Sequence, residues 1–202
     1  MLKKPNDESR TEQDVLETIS GRKEGPALFA EILAPPMNLL GPELVRDLVS
    51  LIQQAEANDT VQVLVFKSAD PDYFIAHVDV TRISEYREAA AQLAGEPSLA
   101  MLFRHLSTSR LVTIAQIEGR VRGAGSEFVL ACDMRFAARE SAIFSQLEAA
   151  FALIQGAGAI QHLTRLMGRG RALEVLLCGG LQRGIGGALR LDQSGVTCGR
   201  AW

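Results

Sequence analysis

A glutamate closes the run Gly123-Ala-Gly-Ser-Glu127, and a second stands twenty-one residues later in Gln146-Leu-Glu148. Two carboxylates drawn into one dry pocket hold different protonation states, because burial and mutual repulsion drive their pKa values apart. Such a pair can orient and deprotonate a water molecule with one group and donate a proton with the other. The glycine run follows an apolar segment, Leu111-Val-Thr-Ile-Ala-Gln-Ile117, and leads into Phe128-Val-Leu-Ala-Cys132, which is too apolar for a surface loop. The pattern predicts a strand, a tight turn and a buried helix. A helix that starts near Ala124 aims unpaired backbone N–H groups and the positive end of its dipole at whatever lies in front of the turn. Negative charge developing on a substrate oxygen is stabilised in such a place.

The elements that must position these groups alternate between strands and helices, which predicts an α/β class. Ala27-Leu-Phe-Ala-Glu-Ile-Leu33 reads as a strand broken by Pro35-Pro36, and Gly41-Pro42-Glu43 opens a helix with proline in its first turn. Leu44, Leu48, Leu51 and Ile52 give that helix one apolar face. Val61-Gln-Val-Leu-Val-Phe-Lys67 is an apolar run of strand length, as expected for a strand covered on both faces. A helix after Pro97 carries the stripe Leu99, Leu102, Phe103 and Leu106. Met134 to Ala138 is a further strand. Gly156-Ala-Gly158 leads into a helix through Ile160, Leu163 and Leu166, and residues 170–177 read as another. Residues 1–25 are charged, aperiodic and expected to form a flexible arm; residues 26–179 form the core; residues 180–202 are a divergent Gly/Arg-rich tail with no assignable element.

At 202 residues and 47% hydrophobic the chain is large enough for one domain with a real core. A net charge of -3 argues against nucleic-acid binding, which needs a basic field. No apolar stretch reaches membrane-helix length and the N-terminus lacks the apolar centre of a secretion signal, so no membrane partner and a cytoplasmic location are expected. Cys132 and Cys178 lie in apolar segments and Cys198 in the tail, with no Cys-x-x-Cys, so buried thiols rather than metal or disulfide chemistry are expected.

Several motifs in one order resemble the crotonase family, the enoyl-CoA hydratase/isomerase superfamily, from about Ala27 to Gly179. They are Val63-Leu-Val-Phe, Phe74-Ile-Ala-His-Val-Asp79, the stretch from Ile117 to Asp133, Phe144-Ser-Gln-Leu-Glu148 and Gly156-Ala-Gly-Ala-Ile-Gln-His-Leu163. The resemblance implies a spiral of repeated ββα units that binds an acyl-CoA thioester, with no metal and no cofactor beyond the coenzyme A carried by the substrate. By position it implies backbone N–H donors at Val78 and Ala124 for the thioester oxygen, and catalytic Glu127 and Glu148. Glu148 takes the part of proton donor and Glu127 that of the group positioning water. Ala76, His77, Asp79 and Gly123 fall on substrate-lining positions. The implied reaction is addition of water to a 2-enoyl-CoA; a double-bond shift and a non-catalytic binding or assembly role are the alternatives. A homo-trimer or hexamer is also implied.

The chain departs from the family pattern at His77, where glycine is usual, and at Leu147 and Gln155, where prolines are common. The family normally continues well past Cys178 with helices that close the acyl pocket, so a truncated or divergent C-terminal helical part is expected here, from truncation or a frame-shifted reading. Structural readings stand beside the functional ones. Glu127 fits an ordinary first-turn acidic residue, Asp79 a turn or cap, and the ring of His77 an outward-turned substitution. Gly156-Ala-Gly158 lacks the lysine and hydroxyl of a phosphate loop. Arg82, Arg120 and Arg122 fit surface residues better than phosphate ligands, and His105 and His162 have no partner at metal-ligand spacing.

Overall fold

A computed structural model describes residues 16–178 and 182–183. Its elements are β1 (Ile19–Glu24), β2 (Ala27–Ile32), α1 (Pro42–Ala57), β3 (Val63–Ser68), β4 (Tyr73–Ile75), α2 (Ile83–Ala94) and α3 (Leu99–Ser107). They continue with β5 (Val112–Ile117), β6 (Arg120–Arg122), α4 (Ala124–Ala131), β7 (Met134–Ala137), β8 (Ile143–Ser145), a 3₁₀ turn (Glu148–Phe151), α5 (Ala159–Cys178) and β9 (Gln182–Arg183).

Two sheets share these strands. The larger has the order β1-β2-β3-β5-β7, antiparallel only between β1 and β2, and the smaller has the order β4-β6-β8-β9, antiparallel only between β8 and β9. Each pair of consecutive strands, β3-β4, β5-β6 and β7-β8, therefore splits between the sheets and is followed by helix. This is the repeated ββα spiral of a crotonase-like α/β fold. Its core lies where α1, α3 and α4 meet the larger sheet, with Phe66, Phe103 and Phe128 among the side chains excluded from water. The ring of Phe128 meets Phe66 and Phe103 edge to face, at centroid distances of 5.0 and 5.7 Å, a favoured aromatic geometry.

The apolar stripes of α1 (Leu44, Leu48, Leu51, Ile52) and α3 (Leu99, Leu102, Phe103, Leu106) are buried, as their spacing requires. The arm expected over residues 1–25 is corrected at its end, because Ile19–Glu24 pairs residue by residue with Ala27–Ile32 across the turn at Gly25. Gly25 has φ 57°, which suits glycine. Residues 1–15 and all of the expected tail except Gln182–Arg183 lie outside the described residues. Helix α2 was not foreseen, since its buried side chains are only Tyr86, Ala89 and Ala90 and make no strong stripe. The two helices expected near residues 160 and 170 are one element broken at Gly168, whose φ of 78° and ψ of 161° are not helical. Of its expected stripe only Leu163 is buried, while Ile160 and Leu166 are exposed. No helix among the described residues is long and apolar enough to cross a membrane.

Candidate active site

The glycine turn forms because two chain segments cross too closely for side chains. Gly123 has φ 51° and donates its N–H to the Ser145 carbonyl at 2.9 Å, which ties the turn to β8. A Cβ on Gly125 would lie 2.4 Å from the Ile75 carbonyl oxygen, so glycine alone lets α4 pack against β4. All eight residues of α4 are buried. Arg135 satisfies its last carbonyls, with Nη1 donating to Cys132 O at 2.5 Å and Val129 O at 3.2 Å. At the other end Ala124 is the first helical residue, and its N–H has no acceptor among the described residues.

A second free donor comes from the loop after β4. Segment 37–43 holds that loop: Ala76 N–H donates to Met37 O, Leu40 N–H to His77 O at 2.9 Å, and Asp79 N–H to Leu40 O at 3.1 Å. With the His77 carbonyl turned to Leu40, the trans peptide sends the Val78 N–H the opposite way, where it has no acceptor among the described residues. Buried Asn38 braces the same loop, its Oδ1 accepting from Ala34 N–H at 2.7 Å and its Nδ2 donating to Phe74 O at 3.1 Å. Arg82 then makes two 2.9 Å hydrogen bonds to Glu43, which fasten the start of α2 to the start of α1 and hold the Glu43 carboxyl below its usual range.

Both glutamates line one cavity of about 690 Å³, together with Val78, Ala124, His77 and Gly123. Glu127 is 2% exposed. Although it occupies the first turn of α4, its Oε1 accepts from Ala157 N–H at 2.8 Å and Ala159 N–H at 3.1 Å, across the fold at the entry to α5. Burial pushes its carboxyl up to about 7 with the charge of Glu148 adding to the rise, and the two amides oppose it. Glu148 opens the 3₁₀ turn, half-buried; burial raises its carboxyl as well, and its buried Oε2 has no hydrogen-bond partner among the described residues. Its Oε1 lies 3.3 Å from where a Cβ on Gly123 would stand, so the donor turn and this carboxylate abut. Gln146 links the two carboxylate segments, its Nε2 donating to Ser126 Oγ at 3.0 Å.

The remaining expected site residues divide. His77 lines the cavity, and its Nδ1–H donates to the Val78 carbonyl at 2.6 Å, so the ring is latched onto the donor loop rather than turned outward. It needs no positive φ; among described non-glycine residues only Met37, Asn38 and Ala152 have one. Ala76 is fully buried and, like Asp79, stands outside the cavity lining. The Asp79 carboxylate accepts from the Thr81 N–H and hydroxyl, the turn role its residue type suggested. Arg82 is paired, and Arg120 and Arg122 stack on Tyr73, so none of the three faces the site. Sequence reasoning missed the apolar wall made by Val80, Ile83, Leu99, Phe151, Leu153 and Ile154, and also Tyr86 and Arg87.

The family profile described as Enoyl-CoA hydratase/isomerase matches residues 28–186. The chain belongs to the enoyl-CoA hydratase/isomerase family. Among this family's members it is 30% identical over 142 residues to the Arabidopsis thaliana protein named "Probable enoyl-CoA hydratase 2, mitochondrial", covering 70% of this chain and 46% of that one. It is 31% identical over 161 residues to the Bos taurus "Enoyl-CoA hydratase domain-containing protein 2, mitochondrial", covering 80% and 54%. The chain thus spans about half the length of these curated relatives. A crystal structure of a Streptomyces avermitilis protein provisionally named an enoyl-CoA hydratase is 54% identical, with a TM-score of 0.81 over 83% of this chain and 61% of that one. The departures from the family pattern now have places. Leu147 lines the cavity, and Gln155 donates from its side chain to Leu176 O at 3.1 Å, tying the rim to α5.

Proposed function

We propose that this chain adds water across the double bond of a 2-enoyl-CoA thioester. The observation that carries the reading is one cavity faced by two carboxyls of raised pKa, Glu127 buried and Glu148 half-buried, and by two backbone N–H groups without acceptors among the described residues. The thioester oxygen accepts from Val78 and Ala124 N–H, which stabilise the negative charge that grows there as water attacks. The free oxygen of Glu127 orients the water and takes its proton as the water oxygen bonds to the β-carbon. Glu148 gives its proton to the α-carbon, and a proton passes back between the two carboxyls to reset the site.

The division of roles between the two carboxyls follows the family resemblance. Burial raises both carboxyls, that of Glu127 to about 7, and backbone amides oppose the rise at each: those of Ala157 and Ala159 at Glu127, those of Leu147 and Glu148 itself at Glu148. The free Oε2 of Glu148 is also sufficient for a double-bond shift, in which one carboxyl moves a proton between two carbons. Glu127→Gln separates the two reactions. Hydration of crotonyl-CoA is expected to be lost in this variant; undiminished hydration there would remove Glu127 from the mechanism, and conversion of a 3-enoyl-CoA without any hydration in the parent would remove hydration in favour of isomerisation. Thioester binding without turnover in the parent would leave a binding scaffold. The trimeric or hexameric assembly implied by the family resemblance and the cytoplasmic location expected from the sequence are part of the same proposal, and light scattering of the purified protein would refute the assembly by returning a monomer mass.

A further inference from the structure

Away from the glutamates the cavity wall is mostly apolar; its polar side chains are His77 on the donor loop, Ser98 at the start of α3, and Tyr86 and Arg87, neighbours on α2. Tyr86 is 6% exposed and lines the cavity, yet its hydroxyl has no hydrogen-bond partner among the described residues. Buried phenols ordinarily find a partner, and an apolar chain laid against this one would strand it. Next to it, Arg87 also lines the cavity; its Nε donates to Pro97 O at 2.7 Å, which aims the guanidinium, and its terminal nitrogens meet no carboxylate of the described residues. Of the other charges near this part of α2, Asp79 is engaged by Thr81 and Glu85 by Arg82, while Glu88 is exposed and forms no ion pair with Arg87. A hydroxyl donor beside an uncompensated guanidinium is a receptor for an anionic oxygen.

We infer that α2 reads the far end of the acyl group, and that the substrate class is a CoA thioester whose chain ends in a carboxylate, held by the Tyr86 hydroxyl and the Arg87 guanidinium. This rests on the acyl-thioester reading of the cavity. It assigns specificity to two residues that take no part in the proton transfers.

Calorimetric titration with two saturated probes tests it without turnover: glutaryl-CoA, which ends in a carboxylate, and pentanoyl-CoA, its methyl-ended counterpart of equal carbon count. The parent is expected to bind glutaryl-CoA about tenfold more tightly or better, the scale of a hydrogen bond to a charged group. In Tyr86→Phe and, separately, in the surface variant Arg87→Gln, the ratio of the two affinities is expected to fall toward one. Equal affinities in the parent, tighter binding of pentanoyl-CoA, or a ratio that neither variant moves would overturn the inference. The failures are distinguishable: a preference for glutaryl-CoA without hydration of any enoyl thioester removes the proposed reaction alone, and hydration of crotonyl-CoA with no such preference removes this inference alone.

Discussion

The two sides of the cavity are built in opposite ways. On the donor side, loop 76–79 is laced to segment 37–43 by backbone hydrogen bonds, and α4 is buried along its whole length with Gly125 pressed onto Ile75. On the other side, Glu148 stands at the head of a single 3₁₀ turn that leads to Phe151, Leu153 and Ile154, which are 70%, 63% and 79% exposed. The comparison teaches a division of labour. In the proposed reaction, the groups that must already point correctly when charge develops, the Val78 and Ala124 amides and Glu127, are fixed by the core, so they need no reorganisation. The second carboxyl rides on a lightly held rim that substrate can cover.

Three perturbations sharpen that contrast. The largest effect is expected from the pH dependence of stability at Glu127. Its folded pKa of about 7 lies above the ordinary 4.5, so its contribution is fully present below pH 4.5 and is lost as pH rises through 7. Relative to Glu127→Gln, the parent is expected to lose about 3 kcal/mol over that window in urea unfolding, from the size of the shift. A parallel pH profile in the two proteins would show that Glu127 is not a desolvated carboxyl. Next, Gly125→Ala forces a methyl to 2.4 Å from a backbone oxygen. A loss of about 2 kcal/mol is expected, typical of overpacking, together with lower hydration activity as the Ala124 amide shifts; an unchanged denaturation midpoint would mean that α4 is not clamped. The smallest effect belongs to the rim. Phe151→Ser is expected to change stability by less than about 0.5 kcal/mol while raising KM for acyl thioesters. A large drop in melting temperature would place the rim in the structural core and erase the contrast.

Much of the donor side is legible in the primary structure because it is periodic or sterically special. The stripes of α1 and α3, the apolar run of β3 and the glycine turn before Glu127 each announce themselves over enough residues to be read. The strands of the smaller sheet do not: Tyr73–Ile75, Arg120–Arg122 and Ile143–Ser145 are three residues each, too short for alternation to show. Helix α2 buries alanines where a stripe needs larger side chains. Glu127 reads locally as a first-turn acid, and nothing local reveals that its Oε1 reaches amides thirty residues away. The cavity wall was missed for the same reason, since the rim and α2 come together only through the spiral.

The central claim is that two carboxyls share one hydration. It is tested most directly by following loss of the conjugated double-bond absorbance of crotonyl-CoA with the parent, Glu127→Gln and Glu148→Gln. The account predicts turnover in the parent and a fall of roughly 10²- to 10⁴-fold in kcat in each variant, the usual contribution of a positioned acid or base, with thioester binding retained. A kcat left within about tenfold of the parent by either substitution would contradict it.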